Sequence, residues 1–322
     1  MDLHSPSRSV GLSSLPNEIL LLILGNFCLH CRDTHGYFQG RGTRQRRSQP
    51  SWYSLDCQAL YSVCLVSTRF RHVAQPILYH EFSPGYGDSW RSTQYSWSSR
   101  LPSFLQTVSL RPDLAAQVRM LYLSRTLLNS ISMDMVEIEA TLEVAARTRG
   151  VQLSSFLAPF KHRWASESEP YRPSGEELAV ILLACLSNIT CFRFSQILND
   201  IPLSALKAAG LSGLPIQTVD LRGLSFHLSG QLNGILEMSL STLRTLNLHS
   251  CGGWVLRYVA RPLPNLKNVC ITNSKLRVSG PESDLAHFLS YCVGLESFIY
   301  EAGESFVSWR EHTVVARYHC RR

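Results

Sequence analysis

Two stretches decide how the chain folds: Ile216-Gln217-Thr218-Val219-Asp220-Leu221 and Leu243-Arg244-Thr245-Leu246-Asn247-Leu248. Each carries large apolar residues at its first, fourth and sixth positions, with a polar residue between the last two. Alternation with a period of two marks a strand with one buried face. The same spacing recurs in tolerant form at Val118-Leu121-Leu123, Ile189-Phe192-Phe194, Leu266-Val269-Ile271 and Leu295-Phe298-Tyr300. From residue 189 onward the starts lie 27, 27, 23 and 29 residues apart. Helical patterns over 176–186, 232–240 and 285–292 precede three of these segments. Helix and strand alternating at such a period predict a parallel sheet with helices on its outer side.

The interval from 118 to 189 is too long for one repeat of this size. The spacing predicts a helix over 133–148, with Val136, Ala140, Val144 and Arg147 at helical positions. A degenerate repeat is expected near 151–156. Residues 159–175, with Pro159, Pro170, Pro173, Glu167 and Glu169, read as an exposed insertion. The array is expected to stop at the 295–300 strand, leaving residues 301–322 as a thin cap.

The N-terminal part has a different period. Pro16 suits the first position of a helix, and Glu18 follows in the first turn, where negative charge suits the helix dipole. Ile19, Ile23, Leu24 and Phe27 then recur at three- and four-residue spacing and predict one buried face. Leu20, Leu21 and Leu22 make this helix apolar almost all round. Residues 30–58 hold Gly, Ser and Arg with little periodicity and read as an exposed loop. Helical spacing returns over 59–73 through Leu60, Val63, Cys64, Ser67, Phe70 and Val73, and Pro76 is expected to end that helix or begin the next. Ile77, Leu78, Tyr79 and Phe82 form a compact apolar cluster, and residues 83–100 read as a second loop. Three short helices bury little area alone, so a partner that completes the burial is expected.

Leu15-Pro16-Asn17-Glu18-Ile19 resembles the opening of an F-box. The later run Leu60, Val63-Cys64-Leu65-Val66-Ser67, Phe70, Val73-Ala74, Pro76-Ile77-Leu78-Tyr79 and Phe82 resembles its close, most nearly as in F-box proteins of filamentous fungi. The resemblance covers about residues 12–82, and the loop 30–58 is longer than the family's usual connection. The six strand segments resemble leucine-rich repeats, and Cys251 stands near the position where such repeats carry Asn or Cys. Together these imply an α+α/β chain: a small N-terminal helical F-box over 10–82, a linker and connecting helix over 83–116, and a leucine-rich-repeat-like α/β solenoid with a parallel sheet over 117–322.

The function implied by the resemblance is that of substrate-recognition subunit of a Skp–cullin–F-box E3 ubiquitin ligase. Such a subunit is a non-catalytic adaptor, bound to the Skp-type adaptor and through it to cullin. Carried over by position, Leu15, Pro16, Ile19, Val63 and Leu65 would contact the adaptor, while Phe70 and Leu78 would be core. Contacts to a protein substrate are expected between the inward apolar positions, at Arg193, Asp220, Arg222, Arg244, Asn247, His249, Asn268 and Glu296. The alternatives are a leucine-rich-repeat scaffold without a ligase role, and a basic-loop nucleic-acid-binding or metal-dependent protein.

Charge weighs against nucleic acid. The net charge is +7, from 31 Lys and Arg against 24 Asp and Glu. Residues 30–50 carry +4 of it and residues 310–322 carry +3, so the remainder is neutral as a set. A basic face running along the whole protein is therefore not expected. The loop Gly40-Arg41-Gly42-Thr43-Arg44-Gln45-Arg46-Arg47 reads as a solvated segment, with nuclear import and phosphate binding as the other possibilities. No P-loop, G-x-S-x-G or dinucleotide fingerprint is present, and no catalytic residues are expected. Cys28-Leu29-His30-Cys31, with His35 and Cys57 beyond it, has a spacing that can bite a metal ion. No second C-x-x-C or H-x-x-x-H completes a set, so neither metal nor cofactor is expected. Trp52, Trp90, Trp97 and Trp164 fall in loop-like stretches and are expected to pack on their own domains. Ten cysteines, most inside apolar patterns, read as reduced thiols of the cytosol or nucleus. No secretory signal and no apolar run long enough to span a bilayer is visible, so no membrane partner is expected.

Overall fold

The computed structural model describes residues 11–32, 52–84, 100–124, 127–128, 135–164, 175–195, 203–223, 233–251, 261–274, 284–302 and 315–319. The chain divides into two compact units, residues 1–81 with 85–94, and residues 82–84 with 95–322.

In the first unit a 3-10 turn at Leu12–Ser14 leads to helices α1 (Asn17–Gly25), α2 (Trp52–Val66) and α3 (Thr68–Leu78), and a two-residue strand β1 (Glu81–Phe82) stands at the boundary. Pro16 precedes α1 with a φ of −57°, and Glu18 lies in the first turn. The buried side of α1 is Leu20 and Leu24, continued by Cys28, whereas Ile19 and Ile23 are exposed. Of the expected buried face, Leu24 and Phe27 meet the core, while Ile19 and Ile23 do not and Leu20 takes their place. A helix that is apolar almost all round has no unique phase in its sequence; the core it meets decides it. That core is Leu20, Leu24, Cys28, Leu60, Cys64, Val73, Ala74 and Ile77, with Leu15, Phe27, Val63, Phe70 and Leu78 packed against it.

Helix α2 starts at Trp52, so residues 52–58 of the expected loop are helical, and 33–51 lie outside the described residues. The single helix expected over 59–73 is two. Ser67 has extended backbone, and its Oγ accepts the Phe70 N–H at 3.2 Å. A serine N-cap of this kind starts a new helix by satisfying one of its free donors. Helix α3 then continues through Pro76 to Leu78. Arg69 of α3 donates to Asn17 Oδ1 at 3.0 Å and to the carbonyls of Ser13 and Leu15, fastening the segment ahead of α1 to α3.

The second unit is an α/β fold. Helices α4 (Arg100–Leu110) and α5 (Pro112–Ala115) precede β2 (Met120–Ser124), and three helices follow: α6 (Met135–Thr148), α7 (Leu153–Trp164) and α8 (Gly175–Cys185). Then come β3 (Cys191–Ser195), α9 (Leu203–Ala208), β4 (Thr218–Arg222), α10 (Asn233–Ser239), β5 (Thr245–His249), β6 (Asn268–Ser274), α11 (Asp284–Ser290), β7 (Ser297–Ala302) and β8 (Val315–His319). Strands β2 to β7 pair in parallel, in chain order, and β8 pairs antiparallel along β7.

The register joins the repeats position by position. Leu121, Phe192, Val219, Leu246, Val269 and Phe298 form one row across the sheet, and Leu123, Phe194, Leu221, Leu248, Ile271 and Tyr300 form the next. All twelve side chains are buried in one core. The steps between strands repeat as well. The N–H groups of Gln217 and Thr218 bond the Thr190 carbonyl, those of Arg244 and Thr245 the Gln217 carbonyl, and those of Lys267 and Asn268 the Arg244 carbonyl. Just ahead of the first apolar position, Asn188, Thr242 and Asn265 reach back to carbonyls of the preceding step, at Ala116, Leu214 and Ser241. Cys251, after β5, is buried, and its thiol contacts the Leu221 and His249 carbonyls at 3.5 Å.

Between β2 and β3 the sequence expectations fail in two places. The degenerate repeat expected near 151–156 is helix α7, and β2 pairs directly with β3. The insertion expected over 159–175 is partly structure: α7 reaches Trp164, and Phe160 is fully buried. In α6 the buried positions are Ile138, Leu142, Ala145 and Ala146, while Val136, Ala140 and Arg147 are exposed. Helix α8 is buried along its whole length, and after Glu176 and Glu177 in its first turn its sequence is apolar on every side. Helices α4, α6 and α9 pack against it. Helix α4, expected in the linker, contributes Leu101, Leu105 and Val108 to the core of the second unit.

The repeated step tolerates little bulk at its last occurrence. A Cβ on Gly294 would lie 2.8 Å from the Pro264 carbonyl oxygen, closer than side-chain carbons approach backbone. Gly294→Ala is expected to lower the stability of the chain by about 1–3 kcal/mol in urea unfolding. Val293→Ala next to it, at a side chain 80% exposed, is expected to change stability by less than about 0.5 kcal/mol.

Candidate functional site

The first unit exposes an unusual amount of apolar surface. Nine of the twelve large apolar side chains exposed among the described residues fall between residues 12 and 66: Leu12, Ile19, Leu21, Leu22, Ile23, Leu55, Tyr61, Leu65 and Val66. Of the predicted adaptor contacts, Pro16, Ile19 and Leu65 are open to solvent. Leu15 and Val63 are half-buried and pack on the unit's own core. Sequence spacing did not single out Leu21, Leu22 or Val66, because on an all-apolar helix the open side is known only once the packed side is.

The polar face of the sheet carries the predicted substrate contacts, and the register sorts them. Arg193, Asp220 and Asn247 stand in one row, between Tyr122 and Cys270. Arg222 and His249 stand in the next row, toward the strand ends. Asn268 begins β6, while Arg244 and Glu296 lie one residue ahead of their strands, at the strand-start edge. There Arg244 lines a hollow of about 290 Å³ with Gln217, Ser241, Thr242, Asn265 and Lys267, and Lys267 pairs with Glu296 at 2.8 Å.

Arg193 and Asp220 are buried, at 3% and 5% exposure. Asp220 takes two hydrogen bonds from Arg222, at 3.2 and 3.1 Å, and faces the Arg193 Nε at 3.8 Å. One carboxylate therefore stands between two guanidinium groups. Burial, and then the Arg222 charge, hold the His249 imidazole below its ordinary pKa, and its Nδ1 lies 2.7 Å from Thr272 Oγ1. Burial also pushes the Tyr122 phenol up. The exposed part of the predicted set is thus Arg244, His249, Asn268 and Glu296, with Arg222 and Asn247 half-buried.

A third feature joins residues that the sequence keeps far apart. His80 lies just ahead of β1, and its Nδ1 is 3.1 Å from Cys31 Sγ. His30 Nδ1 is 4.0 Å from the same sulfur. The ligating atoms of Cys28, His30, Cys31 and His80 all lie within 4.8 Å of one another. The missing partner for Cys28 and Cys31 is therefore a histidine 49 residues on, beyond the reach of any spacing rule. His35 lies outside the described residues, and Cys57 is half-buried on α2. Hydrogen bonding with Cys28, then with His30 and His80, holds the Cys31 thiol far below its ordinary value, while the bond to Cys31 and burial push Cys28 up. The Arg-rich loop 40–47 and the tryptophans Trp90 and Trp97 lie outside the described residues. No helix among the described residues is long and apolar enough to cross a membrane.

The buried charge cluster makes a stability prediction. Asp220→Ala leaves Arg193 and Arg222 without their shared counter-charge and is expected to cost about 3–5 kcal/mol in chemical unfolding. Arg222→Met keeps the buried Arg193–Asp220 pair and is expected to cost no more than about 1–2 kcal/mol. No family model, no curated protein and no solved structure matches this chain, so the functional argument rests on its own residues.

Proposed function

We propose that the chain is a non-catalytic substrate receptor, with an F-box-like first unit that docks a Skp-type adaptor and a second unit that holds a protein substrate for a cullin-based ubiquitin ligase. The observation that carries this is the concentration of exposed large apolar side chains on α1 and α2 of a small helical unit. Apolar surface left in water forgoes about 25 cal/mol for each Å² that a partner would cover. Pro16, Ile19 and Leu65 belong to that open surface, in agreement with the positions carried over from the F-box resemblance.

The second unit suits the holding role. Strands in chain order, a shared register and recurring bonds between steps support a leucine-rich-repeat-like solenoid, in which every step contacts its neighbours. Its polar sheet face and strand-start edge display charged and amide groups on a rigid frame, from Arg222 to Glu296. The receptor performs no chemistry. It tethers its substrate beside the ubiquitin-charged enzyme and so raises the effective concentration of the two.

The test is binding of the full chain to a purified Skp-type adaptor by calorimetry. The wild-type chain is expected to bind. The double substitution Leu22→Glu with Leu65→Glu, at side chains 70% and 61% exposed, is expected to weaken binding at least about tenfold with unchanged circular dichroism. Arg244→Glu in the second unit is expected to leave adaptor binding intact. A wild-type chain that does not bind, or a double variant that binds as well as wild type, would remove the ligase role and leave the repeat scaffold.

A further inference from the structure

Two thiols and two imidazoles converge at one end of the first unit. Cys28, His30 and Cys31 come from the turn after α1, and His80 from the turn between α3 and β1. Their ligating atoms lie within 4.8 Å of one another, with Cys31 Sγ 3.1 Å from His80 Nδ1. The two imidazole rings meet edge to face, with centroids 5.4 Å apart at 73°. Bond lengths of about 2.3 Å to sulfur and 2.0–2.1 Å to nitrogen place the ligands of a tetrahedral zinc ion roughly 3.3–3.8 Å apart. The ligating atoms of this cluster, within 4.8 Å of one another, exceed that spacing by about 1–1.5 Å at most.

The backbone that carries the ligands is already held. Glu81, on β1 and 7% exposed, accepts the N–H groups of Leu29 and His30 at 3.0 Å each. Its two oxygens therefore fix the peptide between Cys28 and Cys31, and Glu81 itself is the chain neighbour of His80. Tyr53 of α2 also hydrogen-bonds the Glu81 carboxyl. A carboxylate that orients ligands from behind is the usual outer shell of a metal site.

We propose that Cys28, His30, Cys31 and His80 form a structural zinc site, with Glu81 as the residue that positions its ligands. Two thiolates and two imidazoles in a tetrahedron suit zinc and do not suit magnesium or calcium, which take oxygen ligands. Four protein ligands leave no open coordination position, so the ion is structural and not catalytic. It ties the end of α1 to the end of α3, across the long connection between α1 and α2. A unit whose core holds eight buried side chains among the described residues gains most from such a cross-link.

The test uses the full chain, purified with a thiol reductant and weighed for metal by mass spectrometry. One zinc per chain is expected. Replacement by cobalt is expected to give the visible absorption of tetrahedral cobalt and a thiolate charge-transfer band in the near ultraviolet. Cys31→Ser and His80→Ala are expected to lose the metal, His80→Cys to keep it, and Cys57→Ser, outside the cluster, to keep it. Glu81→Gln is expected to weaken zinc binding about 10–100-fold. The cobalt spectrum is read on the wild-type chain, so a ligand variant that fails to fold does not decide the question. Less than a tenth of an equivalent of zinc after incubation with the metal would overturn the proposal. So would a cobalt spectrum without tetrahedral bands, or full zinc retention in the Cys31→Ser/His80→Ala double variant.

Discussion

In-register parallel pairing from β2 to β7 is the constraint on which the second unit depends. A slip of one residue in any strand would turn its apolar row to the polar face and its polar row to the core. The two apolar rows prevent this, because each places six large side chains in one core. The polar row inherits its geometry from them. Arg193 meets Asp220 only because Phe192 meets Val219 and Phe194 meets Leu221. The buried charge cluster is therefore a consequence of apolar register, and the exposed groups at the strand-start edge are fixed by the same frame.

The recurring hydrogen bonds between steps add a second constraint. Parallel strands in chain order need a return connection at every step, and each leaves backbone groups that must be paired. Asn188, Thr242 and Asn265 supply side chains at one such place, and Gly294 accommodates a close carbonyl at the last. Different residue types solve the same problem at equivalent positions. That is why the period shows in the apolar residues more clearly than in the polar ones.

The first unit obeys another rule. Its helices are too short and too few to enclose all of their apolar residues, so α1 and α2 leave several of them in water. The same shortage makes fixed polar contacts valuable. Arg69 fastens the segment before α1, Ser67 separates α2 from α3, and Glu81 holds the turn after α1. The exposed apolar face and these fixed polar contacts answer one physical problem: too little core for the number of helices.

By itself the sequence determined the period and the inward positions of the sheet. Leu121, Phe192, Val219, Leu246, Val269 and Phe298 and the apolar residues two positions on from each are buried where the alternation places them. A strand has only two faces, so period two leaves no further choice of phase. Helices were legible in existence and less so in phase. Leu24 is buried as the spacing expects, but Leu20 is buried in place of Ile19 and Ile23, and Ile138 and Leu142 in place of Val136 and Ala140. Neighbouring apolar residues on a helix differ by about 100° of rotation, and only the packed partner chooses between them. Of the candidate sites, the adaptor-facing set came from resemblance alone, and the structure leaves Pro16, Ile19 and Leu65 open but Leu15 and Val63 half-buried. The burial of Arg193 and Asp220 and the meeting of His80 with Cys31 were decided by tertiary structure alone. Both depend on which residues from distant parts of the chain are brought together, and local spacing carries no record of that.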